Sequence, residues 1–234
     1  MKVDTTLAKE LGRNYRYLLF NNEYAIIANR PLFNRLIGDG WFPFIQLLGS
    51  GDYKKLSLAY KYVDKDEKKF NAYLRRVLDS LDGTKIQSFT NYWWRIGIFK
   101  DKKKLLESGI RAYLQNTEDG FISCLKTLYS EFEGIIRMSY YNENNRNLSF
   151  SELKQYIHQK AKSRFSDQSS LGFPDIFYQY LDRNIFASFD LSSEDIKLSR
   201  HSASHGVALP KEYDQVRALQ SILTLDQIRF YLTQ

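Results

Sequence analysis

FISCLKTLYSEFEGIIRMSYY, residues 121–141, decides the fold class. Its apolar side chains recur at helical spacing over about six turns, which is longer than a typical strand. A long, nearly all-apolar helix belongs in the middle of a bundle, so this segment is expected to be central. The stretches around it read the same way. Upstream, 103–115 predicts a helix, and Asp119-Gly120 reads as the break before the long one. Downstream, YNENNRN (141–147) predicts a polar loop. Ser149 and Glu152 then have the spacing of a capping box, opening a helix to about residue 164. Pro174 stands where a further helix begins, running to about Phe189. Ser192 or Ser193 is expected to cap a short helix reaching SRHSASHG (199–206), ended by Gly206 and Pro210. A last helix is expected over 211–232.

The N-terminal half is also mostly helical by periodicity. Helices are expected over 4–28, from Pro31 to a turn at Gly40, from Asp52 as cap to about Tyr62, and over 65–81. The last of these places Phe70, Tyr73, Leu74, Val77, Leu78 and Leu81 on one stripe. TNYWWRIGIF (90–99) is aromatic and suits either a strand or a buried helix. The fold class is therefore all-α.

Composition narrows the function classes. With 234 residues, 43% hydrophobic and 15% aromatic, the chain can build a large core, and disorder is excluded. No uncharged stretch of 18 residues occurs, and MKVDTTLAKELGRNYRYLLF lacks an apolar leader core, so a cytoplasmic protein away from membranes is expected. The single cysteine, Cys124, allows neither an internal disulfide nor a CxxC zinc motif, and it reads as a core residue. No GxGxxG or GxxxxGK[ST] loop is present, which removes nucleotide binding by those routes. The net charge of +7 is uneven. Residues 1–102 hold 18 Lys and Arg against 11 Asp and Glu, whereas 103–234 hold 16 of each. The charge step and the change in pattern place a domain boundary near residue 102. The basic half suits either a solubilising surface or an anionic partner such as RNA.

Chemistry concentrates in one place. Of three histidines, His201 and His205 lie four residues apart and follow Arg200. Histidine is the side chain whose ordinary pKa suits proton transfer near neutrality, and arginine offers a fixed cation for phosphate oxygens. A plainer reading has His205-Gly206 as a helix C-cap. The pair at i and i+4 could also bind zinc, although no HExxH and no third ligand accompany it. On an ideal helix Arg200 and His205 would point about 140° apart, so they face together only if the helix ends between them.

LSRHSASHGVALPKEYDQVRALQSILTLDQIRFYL (198–232) resembles the C-terminal signature of HEPN domains, the higher-eukaryote and prokaryote nucleotide-binding domains. That family has an Arg, four to six residues, then a His. One large group reads Asn-Arg-His-x-x-x-His-Gly, a Tyr, and a Leu-rich helix with Leu-Asp. The matching positions here are Ser199, Arg200, His201, His205, Gly206, Tyr213, Leu225 and Asp226, with Ser199 in place of Asn. Upstream, LLESGIRAYLQNTEDGFISCLKTLYSEFEGIIR resembles the group's helix–turn–helix ending in Glu-Gly, here Glu133-Gly134. The resemblance covers about 103–234 and implies a HEPN-type helical bundle there, with residues 1–102 an additional, mostly helical region of unknown role.

Many members of the family are metal-independent ribonucleases that need no cofactor and dimerise so that two motifs line one cleft. The resemblance implies that Arg200 clamps a phosphate, His205 acts as general base or acid, and His201 assists. Glu133 would orient Arg200 or a histidine. For Asp226 and Tyr213 a supporting, structural part is expected, with Arg200 or a backbone amide as partner of Asp226. RNA is the implied substrate, a homodimer the implied assembly, and a toxin or antiviral defence effector, with an antitoxin or defence protein as partner, the implied setting. The alternative is a non-catalytic HEPN-like module that dimerises and binds RNA or nucleotides. Trp41, Trp93 and Trp94 could stack bases, with core packing the plainer role.

Overall fold

The computed structural model describes residues 29–48, 50–95, 97–164, 173–193 and 196–233, and among them every regular element is helical. The fold is all-α, as the periodicity predicts. The helix expected over 4–28 lies outside the described residues. The chain divides into two compact units, Met1–Ser80 and Leu81–Gln234.

The described part of the first unit holds four helices, α1 (Arg30–Gly38), α2 (Ile45–Leu48), α3 (Asp52–Tyr60) and α4 (Glu67–Ser80). Asn29 caps α1 through its side chain, and Pro31 occupies the first turn, where no N–H is required. Asp52 is the first residue of α3 and not its cap. Gly51 stands at the cap in the left-handed region at φ +71°, and the Asp52 carboxylate accepts from Ser50 and from Lys55 at 2.7 Å. Helix α4 packs on α3 by the expected stripe, burying Val77 and Leu78.

The second unit begins earlier than the charge step suggested. Segment 81–102 forms α5 (Gly83–Thr90), a 3-10 turn (Trp93–Arg95) and α6 (Gly97–Asp101), with no strand among its described residues. The boundary falls after Ser80 because this segment is tied to later helices. Trp93 hydrogen-bonds Asp226, and Lys102 pairs with Glu131. Counted at this boundary, residues 1–80 carry 14 Lys and Arg against 9 Asp and Glu, and residues 81–234 carry 20 against 18.

Helix α7 (Lys103–Leu114) and the 27-residue α8 (Glu118–Asn144) form a helical hairpin. The turn lies at Asn116 (φ +53°) and at Thr117, whose hydroxyl caps Gly120 N–H. Gly120 is therefore inside α8 and not a breaker. A Cβ there would lie 2.4 Å from the carbonyl oxygen of Ala112, so glycine lets the two helices approach. The polar stretch after Tyr141 stays helical to Asn144, and Asn145 ends α8 in the left-handed region at φ +50°. The expected capping box opens α9 (Phe150–Arg164): Glu152 accepts from Ser149 N–H at 2.8 Å, and Ser149 Oγ accepts from Glu152 N–H at 3.4 Å.

Pro174 lies in the first turn of α10 (Phe173–Tyr180). That helix does not continue to Phe189. It widens into a π-turn over Leu181–Ile185, with Phe186 N–H reaching back five residues to Leu181 O at 2.8 Å. The next helix, α11 (Arg200–Ser204), is capped by Ser199 and not by Ser192 or Ser193. Ser192 instead donates its N–H to Asp190. After a 3-10 turn at Pro210–Glu212, Asp214 caps α12 (Gln215–Leu232).

The central helix is α12 more than α8. Every residue from Ala218 to Ile228 is buried, polar ones included, whereas Lys126, Ser130 and Met138 of α8 face solvent. The polar side chains on α12 have partners: Ser221 bonds Ala218 O at 2.7 Å, and Thr224 bonds both Gln220 O and the Tyr180 hydroxyl at 2.7 Å. Buried polar groups without such partners would cost about 1–3 kcal/mol each. Cys124 of α8 is a core residue, its thiol pushed up to about 12 by burial.

Candidate functional site

Helix α11 carries the candidate chemistry, and its short length follows from its two ends. Ser199 and Ser202 form a reciprocal capping box: Ser202 N–H donates to Ser199 Oγ at 3.2 Å, and Ser199 N–H to Ser202 Oγ at 2.8 Å. Serine is among the residues that cap helix N-termini well. At the other end His205 N–H bonds His201 O at 3.0 Å, and Gly206 turns the chain away at φ +70°. His205 still has helical dihedrals at φ −88° and ψ −2°, so the helix runs unbroken from Arg200 to its cap, and the chain turns only after both residues.

Arg200 begins α11 beside α8. Its Nη2 lies 2.7 Å from Glu133 Oε2, with the arginine side chain 28% exposed and the glutamate 14%. The contact is an ion pair without the alignment of a hydrogen bond. The other carboxylate oxygen, Oε1, accepts from Arg137 Nε at 2.6 Å, and Arg137 is itself tied to the Leu148 carbonyl. Glu133 is therefore held between two arginines.

His201 is half-buried, edge-on to Phe150 with ring centroids 5.1 Å apart. Its Nδ1 faces Arg200 Nη1 at 3.5 Å. Guanidinium has only donors, so a lone pair on Nδ1 suits this contact and a proton there does not. Burial first, and the Arg200 cation second, lower the His201 pKa below its ordinary value. With the lone pair on Nδ1, the proton of the neutral ring sits on Nε2, and a further proton would have to face Arg200. His205 is exposed at the helix cap, its ring 5.7 Å from that of Phe189. The C-cap reading of His205 is thus correct as to position, and it leaves the imidazole open to solvent.

Asp226 and Tyr213 stand elsewhere. Asp226 is fully buried, and its Oδ1 accepts from Trp93 Nε1 at 2.8 Å and Arg229 Nε at 2.9 Å. The expected link to Arg200 is replaced by these two partners. A buried carboxylate needs strong donors at hand, and both lie one helical turn or one packed segment away. Tyr213 closes the 3-10 turn before α12, is buried, and belongs to the surroundings of Tyr129 on α8. Sequence reasoning missed Arg137, whose spacing of four from Glu133 was the available signal.

Among the described residues no three His, Cys, Asp or Glu side chains gather as metal ligands, and no helix is long and apolar enough to cross a membrane. Comparison with known families, with curated proteins and with solved structures found no match.

Proposed function

We propose that the second unit is a metal-independent endoribonuclease of HEPN type. The observation that carries this reading is the Glu133–Arg200 ion pair beside His201, with His205 exposed at the end of the same short helix. In such a reaction the 2′-hydroxyl of RNA attacks the adjacent phosphorus and the 5′-oxygen leaves. One histidine takes the proton from the 2′-hydroxyl, and another proton goes to the leaving oxygen. Arginine offsets the negative charge that builds on the phosphorane. His201, whose Nδ1 lone pair faces Arg200, assists by positioning or by the second proton transfer. His205, exposed at the helix end, serves as the general base or acid. Arg200 supplies the cation, and Glu133 fixes its direction.

The natural assembly for this reading is a homodimer that brings two α11 segments to one cleft. A toxin or defence effector in the cytoplasm, restrained by a protein partner, is the setting it suits. The test is cleavage of RNA in EDTA by wild type, Arg200→Ala and His205→Ala. Each substitution is expected to lower the rate by about a hundredfold or more. Equal cleavage by all three, or none by any, overturns the reading.

One observation favours a non-catalytic binding module instead. Arg200 already has a carboxylate at 2.7 Å, and a phosphate must compete with it. RNA binding that survives both substitutions, with a steep salt dependence and no cleavage, supports that alternative.

A further inference from the structure

Tyr92, Trp93, Trp94 and Arg95 form one turn whose directions are set by a single anchor. Trp93 is fully buried and donates to Asp226 at 2.8 Å. The 3-10 turn that places it there sends its neighbours outward: Tyr92 is 55% exposed, Trp94 is half-buried and Arg95 is exposed. Each outward ring has a cation beside it. The Arg95 guanidinium lies 4.9 Å from the centre of the Tyr92 ring, and Lys103 Nζ lies 5.6 Å from that of Trp94. Lys100 on α6 and Lys104 in the first turn of α7 are exposed as well. Among the described residues no acidic side chain pairs with Arg95, Lys100, Lys103 or Lys104, whereas Lys102 between them is taken by Glu131.

Part of this arrangement works against the fold. Lys103 and Lys104 occupy the first turn of α7, where no acidic residue and no side-chain cap is present. Cations at the positive end of a helix are unfavourable, so folding alone does not account for them. A polyanion would reverse the sign of that interaction.

We propose that Tyr92, Trp94, Arg95, Lys100, Lys103 and Lys104 form a platform that holds an unpaired stretch of RNA. Bases stack on the open face of Tyr92, on Trp94 and on the Arg95 guanidinium plane, and the backbone phosphates meet the lysines. The strand must be single, because a duplex hides its base faces inside its own stack. An acidic peptide would use the cations and leave the rings without a partner. The buried Trp93 keeps the turn fixed before RNA arrives, so little ordering is needed on binding. The proposal takes RNA as partner from the nuclease reading above, but it concerns binding, so the two can fail separately.

The experiment measures binding of a fluorescein-labelled 12-nucleotide oligouridine to the full chain carrying His205→Ala, with cleavage followed in the otherwise unaltered protein. Tyr92→Ala is expected to weaken binding about tenfold, and Tyr92→Phe, which keeps the ring, to bind like the parent. Lys103→Ala with Lys104→Ala is expected to weaken binding and to flatten its salt dependence by about 0.7 per lysine. A duplex of equal length should bind more weakly than the single strand. Circular dichroism and melting of each variant report folding, which an exposed ring such as Tyr92 does not support. Unchanged affinity in these variants overturns the proposal. So does loss on lysine removal with none on Tyr92→Ala, and so does binding to anionic lipid vesicles but not to oligouridine. If Tyr92→Ala weakens binding while Arg200→Ala leaves cleavage unchanged, the platform stands and the nuclease assignment falls. If Arg200→Ala abolishes cleavage while Tyr92→Ala changes nothing, the reverse holds.

Discussion

Asp226 accepts the indole N–H of Trp93 at 2.8 Å, across 133 positions of sequence. The same carboxylate oxygen takes Arg229 Nε at 2.9 Å. This fully buried carboxylate therefore ties segment 81–102 to the central helix, and it settles which unit that segment joins.

Removing it should be costly. Asp226→Ala leaves the Trp93 N–H and the mostly buried Arg229 without their acceptor, an expected loss of about 3–5 kcal/mol in urea denaturation. Asp226→Asn keeps an acceptor for one donor and should cost less, about 1–3 kcal/mol. Equal losses from the two would mean that the charge contributes nothing.

What was legible in the sequence was local. The Ser149–Glu152 capping box and the Gly206 turn each depend on residues within one helical turn, and both form as expected. Misreadings came where the partner is remote or where equivalents compete. Gly120 reads as a breaker by propensity, but its reason is the Ala112 carbonyl on the other arm of the hairpin. Ser192 or Ser193 reads as the cap by residue type, but the cap of the helix is Ser199, whose side chain accepts from Ser202 N–H three residues on. In α12 the polar residues Gln220, Ser221, Thr224, Asp226 and Gln227 break the apolar stripe and hide a helix buried all round. Of the candidate site, Glu133 and His201 both lie against Arg200. Tyr213 and Asp226 do not join them, because their burial is set by α8 and by Trp93.

The two glycines of α8 should respond oppositely to alanine. At Gly120 the new methyl meets backbone at 2.4 Å, and overpacking should cost about 1–3 kcal/mol. At Gly134 it meets the end of the Lys102 side chain at 3.2 Å, which can move. There the gain in helix propensity, about 1 kcal/mol, should leave Gly134→Ala neutral or slightly stabilising. Thermal melts of the two variants decide this; destabilisation of similar size would show that Lys102 cannot yield.

His201 should titrate below its ordinary value. Its folded pKa is lowered, by burial and then by Arg200. The unfolded chain therefore binds the proton first as pH falls. Stability from this group is constant above the unfolded value of about 6.5 and is lost below it, levelling off beneath the folded value. Proton–carbon NMR of the imidazole can follow it among only three histidines. Because Arg200 lowers the pKa and Glu133 raises it, Arg200→Ala should move the midpoint up and Glu133→Gln should move it down. A midpoint that ignores both substitutions would detach His201 from the pair.

The lysines at the start of α7 set stability against binding. With Lys103 and Lys104 in a first turn that contains no acid, replacing either by glutamate should stabilise α7 through the helix dipole, by about 0.3–1 kcal/mol at low salt. The gain should fade at high ionic strength, where such exposed charges are screened. If those lysines serve a polyanion, the same substitution must weaken RNA binding while it raises the melting temperature. Measuring both in one buffer series gives opposite signs for a functional cluster. A variant that melts higher and binds RNA as before would mark the lysines as mere surface charge.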